Sequence, residues 1–287
     1  MQIVTDYAAD ISSEQLEGFE VHYLPLTITI DGKVYRSGVD ITPDEFYELQ
    51  AKATKIPTTS QPSPGDFADL YRSLAQKDPD ILSIHISSGL SGTVNAARIG
   101  AGMVPEANVE IYDTKTLSGA QGWHVEMAAK ALRAGWEKSR ILSMLRQITE
   151  ATETLFTLST LKYLIHGGRI SHLKGLLASV LNIKPIIHVE KAAGTYVNLA
   201  QARTITRAID TLADIVASAH PPQTAMRMQI LHSQYPEGAS RLQERLDKIF
   251  KCNWLPQGPI APVLGAHTGR GLVGLVFAPE ELFPQVQ

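Results

Sequence analysis

At 287 residues the chain is long enough for one large α/β domain or two smaller ones, and 44% hydrophobic against 19% charged residues describes an ordinary globular protein with a sizeable core. The net charge of -3 speaks against a nucleic-acid partner, which needs a basic excess, and the single cysteine, Cys252, excludes an internal disulfide framework and a cysteine metal site. No stretch reaches the roughly 18 apolar residues of a membrane span, and Met1 to Asp6 leads straight into a strand pattern, so the expectation is a cytoplasmic protein without stable membrane insertion.

Ile3 to Asp6 reads as a first strand, with Asp10 in the turn that follows. Leu24 to Ile30, the turn Asp31-Gly32 and Lys33 to Tyr35 read as a hairpin. Thr42-Pro43-Asp44-Glu45 opens a helix: Thr42 caps, Pro43 suits the first position and Glu45 completes a capping box. Lys55 to Gly65 reads as loop, and Ser63-Pro64-Gly65-Asp66 starts a helix with Phe67, Leu70, Tyr71 and Leu74 on one face. Asp80 to Ile86 is a buried strand and Val94 to Ile99 suits a helix. Between them, Ser87-Ser88-Gly89-Leu90-Ser91-Gly92-Thr93 sets hydroxyls and glycines at a strand-to-helix turn. Backbone N–H groups and the helix dipole favour an anion there, and a carboxylate is the expected occupant; a plain turn and cap is the alternative.

Strand Val109 to Tyr112 and helices Gly122 to Ala134 and Ser139 to Thr149 continue the strand–helix alternation of a mostly parallel sheet. A second half begins near Thr154. It reads as helix Ser171 to Asn182, strand Lys184 to Val189 with Tyr196 to Ala200 as hairpin partner, and helix Thr204 to Ala219. Strand Met226 to His232, helix Glu237 to Phe250 and a last strand from Leu272 to Phe277 follow. The fold expected is two α/β domains with mostly parallel sheets, residues 1–158 and 159–287.

Gly269 to Gly274 matches the dinucleotide string G-x-G-x-x-G, but a strand rather than a helix follows it, and no phosphate-loop string occurs anywhere. Gly89-Leu90-Ser91-Gly92-Thr93 approaches the G-x-S-x-G elbow of serine hydrolases, which would make Ser91 a nucleophile served by a histidine such as His267. His267 lies in a stretch, Pro259 to Gly274, too rich in Gly and Pro for a plain strand, and reads as a site-lining loop. Lys162, His166, Arg169, His172 and Lys174 around Gly167-Gly168 form either a solvated helix start or a positive patch.

Six segments in order resemble the DegV family of bacterial fatty-acid-binding proteins, which includes the FakB subunit of fatty acid kinase. They are Thr5-Asp6 with Asp10, Thr59 to Pro64, Ser87 to Thr93, Leu161 to Ile170, Leu181 to Ile186 and Gly265 to Gly269. The resemblance implies two α/β domains with a long-chain, palmitate-like fatty acid buried between them as ligand, no cofactor, and a contribution to the site from loop 55–65. Thr59 and Ser91 would hold the carboxylate, with Ser60, Gly92, His267 and Thr268 close by. Arg169 would sit near the carboxylate end and Arg203 would meet a separate ATP-binding kinase subunit, which makes the acyl-phosphate; the chain itself would be a carrier and not an enzyme. Burying about 14 methylenes at ~0.8 kcal/mol each would contribute roughly 11 kcal/mol before ordering and association costs. The apolar residues between Leu173 and Leu181 are the expected tail wall. Two positions depart from the family pattern: Tyr7 replaces a small residue, and Arg270 replaces a proline and adds a charge near the expected site. A serine esterase using Ser91, or a sensor of another carboxylic acid, is the alternative.

Overall fold

The computed structural model describes residues 1–171, 173 and 183–286. The first half runs β1 (Gln2–Asp6), a single turn α1 (Ser13–Leu16), β2 (Val21–Leu24), β3 (Thr27–Ile30), β4 (Lys33–Arg36), α2 (Pro43–Lys52), β5 (Thr58–Ser60) and α3 (Pro64–Ala75). It continues through β6 (Asp80–His85), α4 (Thr93–Gly102), β7 (Asn108–Asp113), α5 (Ser118–Arg133) and α6 (Lys138–Ala151). The anticipated capping box of Thr42 with Glu45 starts α2, and a second one, Ser63 with Asp66, starts α3 at the expected helix start. Strands β2-β1-β6-β7 make a four-stranded sheet, parallel throughout.

The hairpin β3–β4 gains a third, antiparallel strand in β5, which pairs Thr59 opposite Ile28. The expectation of loop across Lys55 to Gly65 is corrected here. Three residues are too few to display alternation, so the strand is made by its neighbour and not by its own pattern.

The second half runs β8 (Glu153–Thr157), α7 (Lys162–His166), β9 (Lys184–Glu190), β10 (Thr195–Ala202), α8 (Ile205–Ala219), β11 (Ala225–His232) and α9 (Pro236–Asp247). Then come β12 (Lys251–Trp254), β13 (Gly258–Pro259), α10 (Pro262–Thr268) and β14 (Val273–Pro279). Its seven-stranded sheet has the order β10-β9-β8-β14-β11-β12, with β13 also on β11. The α/β class stands, but the parallel expectation holds only for the four-stranded sheet of the first half. Here β10–β9, β9–β8, β8–β14 and β14–β11 are antiparallel, and only β12 and β13 run parallel to β11. Strand β8 pairs with β9 and β14, so Glu153–Thr157 belong with this sheet although they precede the boundary expected at Leu158.

Helix α5 joins the halves. It is buried on every side from Gly119 to Ala129, so it carries no polar stripe, the pattern of a helix enclosed by protein. Gln121 donates to Thr5 and Asp6 of β1, and the Trp123 indole donates to Gln229 of β11 at 2.8 Å. Its side chains share one cluster with Ile3, Leu82 and Ile84 from the first sheet and Val276 and Ala278 from the second.

Candidate functional site: a chamber with a polar head and an apolar tail

The loop after β6 is held at both ends. Asp6, fully buried, accepts from the Ile86 N–H at 3.1 Å and from His85 Nδ1 at 2.9 Å, fixing the exit of the strand. Ser87 Oγ donates to the Gly194 carbonyl at 2.7 Å, tying the loop to the β9–β10 turn. A Cβ on Gly89 would lie 2.5 Å from the Ala193 carbonyl oxygen, so this approach requires glycine. Ser91 Oγ bonds Thr93 Oγ1 at 2.8 Å and accepts the Thr93 N–H at the start of α4. Gly92 caps that helix without a side chain, and the amide of Gln61 covers the space a Cβ would occupy.

From the other side come β5 and α10. Thr59 Oγ1 and His267 Nε2 are 2.7 Å apart. His267 is pushed down to about 4, first by burial and then by the Arg169 and His166 charges, so the ring is neutral at neutral pH. His267 Nδ1 is buried without a partner among the described residues, and a Cβ on Gly167 would overlap it. An unpaired lone pair is easier to bury than an unpaired N–H, which places the ring proton on Nε2 and directs it at Thr59. The Thr59 hydroxyl hydrogen is then free to serve an acceptor in the chamber.

Arg169 follows α7. Its Nη1 donates to the Gly167 carbonyl at 2.7 Å and its Nε to the Leu90 carbonyl at 3.3 Å. Among the described residues no carboxylate pairs with it, so its charge is available to the chamber it lines.

These groups surround a head chamber of about 540 Å³, whose polar lining is Thr59, Gln61, Ser91, Arg169, His267 and Thr268. Leu117, Tyr196, Leu264 and Thr268 also line a deeper chamber of about 420 Å³, so the two adjoin. The deep chamber is walled by Phe156, Leu231, Ile260, Leu272, Leu275 and Val276, with few polar atoms.

Thr59, Ser91, Arg169, His267 and Thr268 are thus brought together. The Thr268 hydroxyl donates to the Leu264 carbonyl at 3.0 Å, which leaves it only acceptor capacity. Ser60 is exposed, on the face of β5 opposite Thr59, and Arg203 is exposed at the bend between β10 and α8; neither lines the chamber. His267 sits on helix α10, correcting the loop expectation: Pro262 starts the helix and Gly269, at φ +68°, ends it. Tyr196, Leu117 and Gln61 were not singled out as site residues, although Gln61 stands inside the Thr59–Pro64 segment. The expected tail wall between Leu173 and Leu181, like His172 and Lys174, lies outside the described residues except for Leu173.

Both departures are accommodated. Tyr7 stacks on Tyr23, ring centroids 4.8 Å apart, in space left by Gly38, where a Cβ would overlap the Tyr7 ring. Arg270 donates to the Tyr47 carbonyl of α2 at 2.8 Å and does not line the head chamber, so its charge is directed away from the site. Among the described residues there is no cluster of three potential metal ligands and no helix long and apolar enough to cross a membrane.

Comparison with known proteins places this geometry. The family described as "Uncharacterised protein, DegV family" matches residues 1–280. A DegV domain-containing protein of Staphylococcus aureus (strain N315) is 34% identical over 274 residues, covering 96% of this chain and 97% of its own. A DegV family protein from Thermus thermophilus, described for its fatty acid binding, has a TM-score of 0.87 at 28% identity and covers 97% of this chain and 99% of that one. DegV of Bacillus subtilis, described as a fatty acid binding protein, has a TM-score of 0.86 at 28% identity, with coverage of 97% and 99%.

Proposed function

The chain belongs to the DegV family, and we propose that it binds one long-chain fatty acid and presents the carboxylate to a separate ATP-dependent kinase subunit for acyl-phosphate formation. The observation that carries this reading is the polarity of the two adjoining chambers: hydroxyl, imidazole and guanidinium groups line one, hydrocarbon lines the other. A buried carboxylate is costly unless donors meet it. The hydroxyls of Thr59 and Ser91 and the Arg169 guanidinium are those donors. The relatives from Thermus and Bacillus, described as fatty acid binders, support the same ligand class.

The neutral donors orient the head group without consuming both its oxygens, and one stays available as a nucleophile toward a phosphoryl donor brought by the partner. Exposed Arg203 suits contact with that partner and not with the ligand. Nucleophilic catalysis by Ser91 is disfavoured: Ser91 bonds Thr93 and His267 bonds Thr59, so the two do not form a serine–histidine pair. A Ser83–His85–Asp6 chain exists, but all three are fully buried within β6 and β1, away from the chamber lining.

Native mass spectrometry of the purified protein, followed by denaturing extraction and lipid analysis, tests the reading. One long-chain fatty acid per chain, lost on Thr59→Ala or Ser91→Ala, is the expected result. A protein that is empty and refuses added fatty acid overturns it, and extraction of a different carboxylic acid turns it into a sensor. ATP-dependent turnover only on addition of a kinase subunit is the expectation for the second half of the proposal.

A further inference from the structure

The wall of the deep chamber is not hydrocarbon throughout. Ser118, the first residue of α5, lines it but does not line the head chamber. Its Oγ donates to Asp10 at 2.5 Å, and the other Asp10 oxygen accepts the Ala261 N–H at 2.7 Å. Asp10 and Ala261 themselves line a separate outer cleft of about 870 Å³, together with Tyr7, Gln15, Gln229 and Pro256. Leu231 lines both spaces. The partition between chamber and cleft is therefore about one side chain thick, and its centre is a hydroxyl hydrogen-bonded to a carboxyl.

Ser118 is held there at φ +58°, a left-handed conformation uncommon for serine. Its N–H donates to the Ala8 carbonyl at 2.9 Å. The next residue is equally constrained, because a Cβ on Gly119 would lie 2.6 Å from Gln229 and 2.8 Å from Leu231. A chamber closed for packing alone would use an apolar residue at this position. A methyl terminus meeting the Ser118–Asp10 pair gains no further contact, and pushing into it would break a short hydrogen bond.

Building on the fatty-acid reading above, we propose that the Ser118–Asp10–Ala261 partition is the end stop of the acyl chamber and sets the longest chain the protein accepts. Removing it joins the chamber to the outer cleft, and longer chains extend through the gap.

The test measures binding of saturated fatty acids of graded length to the full chain by native mass spectrometry and competition titration. In the wild type, affinity rises about fourfold per added methylene while each is buried, then levels off or falls when the chamber is full. In Ser118→Gly, and in Ser118→Gly combined with Asp10→Ala, the rise continues by at least two carbons, which raises the ratio of longest-acid to optimal-acid affinity about tenfold or more. Glycine adopts φ +58° freely, so the single variant keeps the test intact if the double variant does not fold. Length profiles that coincide in wild type and Ser118→Gly overturn the end stop while leaving fatty acid binding in place. A wild type that binds no acid of any length overturns the proposed function instead.

Discussion

Thr59→Val replaces the hydroxyl by a methyl of nearly the same volume, so the change is chemical and leaves no cavity. Two interactions go with it. The 2.7 Å hydrogen bond to His267 Nε2 is lost, and because Nδ1 is already without a partner, the largely buried imidazole is left with none. An unsatisfied buried donor costs about 1–3 kcal/mol, so the empty protein loses about that much stability, read by thermal or urea unfolding. The ligand carboxylate also loses a donor. A hydrogen bond to a charged group contributes about 1.5–3 kcal/mol, which corresponds to a fatty acid affinity roughly 10- to 150-fold weaker. Competition titration with a fluorescent fatty acid measures it, with Thr59→Ser as the control that restores both bonds. Affinity for Thr59→Val within twofold of wild type would refute the assignment of Thr59 as a head-group donor.

The same site supports further expectations. Gly167→Ala has an undemanding backbone position, and its Cβ overlaps His267 Nδ1, so the imidazole must leave Thr59; fatty acid affinity falls more than about tenfold, with a stability loss of about 1–3 kcal/mol in urea unfolding. Arg169→Gln removes the positive charge from the head chamber, and the preference for a fatty acid over the fatty alcohol of equal length, measured by competition, collapses. Stability against pH, followed by urea unfolding, peaks near 6.5 if three groups dominate. His267 and His124 are both lowered to about 4, chiefly by burial, so the unfolded chain binds more protons below 6.5 and stability falls as pH drops from 6.5 to 4. Asp10 is raised to about 7 by burial, so its contribution is full below 3.8 and lost as pH rises through 7. Asp10→Asn therefore raises stability at pH 8 and steepens the rise between 4 and 6.5; an unchanged profile would mean that Asp10 titrates in the folded protein as it does in the unfolded chain.

The parts of the site carried by local chemistry were legible in the sequence. Capping residues mark α2 and α3, and the hydroxyl-rich turn at Ser87–Thr93, read as a strand-to-helix turn, places Ser91 in the head-chamber lining. Strand direction in the second sheet was not, since a strand–helix alternation looks the same whether β14 enters parallel or antiparallel; the pairings with β8 and β11 are decided by contacts distant in the chain. Helix α10 was within reach, as Pro262 and Gly269 bracket it in the usual order, but its density of Gly and Pro reads as loop when the periodicity is short.

The deep chamber marks the limit of such reading. Its wall takes Leu117 from the approach to α5, Phe156 from β8, Tyr196 from β10, Leu231 from β11, Ile260 from the approach to α10, Leu264 from α10 itself and Leu275 from β14. Each contributes one to three residues, and each residue obeys the ordinary burial pattern of its own element, so nothing distinguishes a wall residue from a core residue until the elements meet. Polar site residues differ, because a threonine, serine, arginine or histidine within a buried region must be explained by a partner. That asymmetry explains why Ser91 and His267 stand out in the sequence, with Thr59 added by the family resemblance, whereas the hydrocarbon end does not. It also singles out Ser118 and Asp10: they are polar groups at the apolar end, and the partner each satisfies is the other.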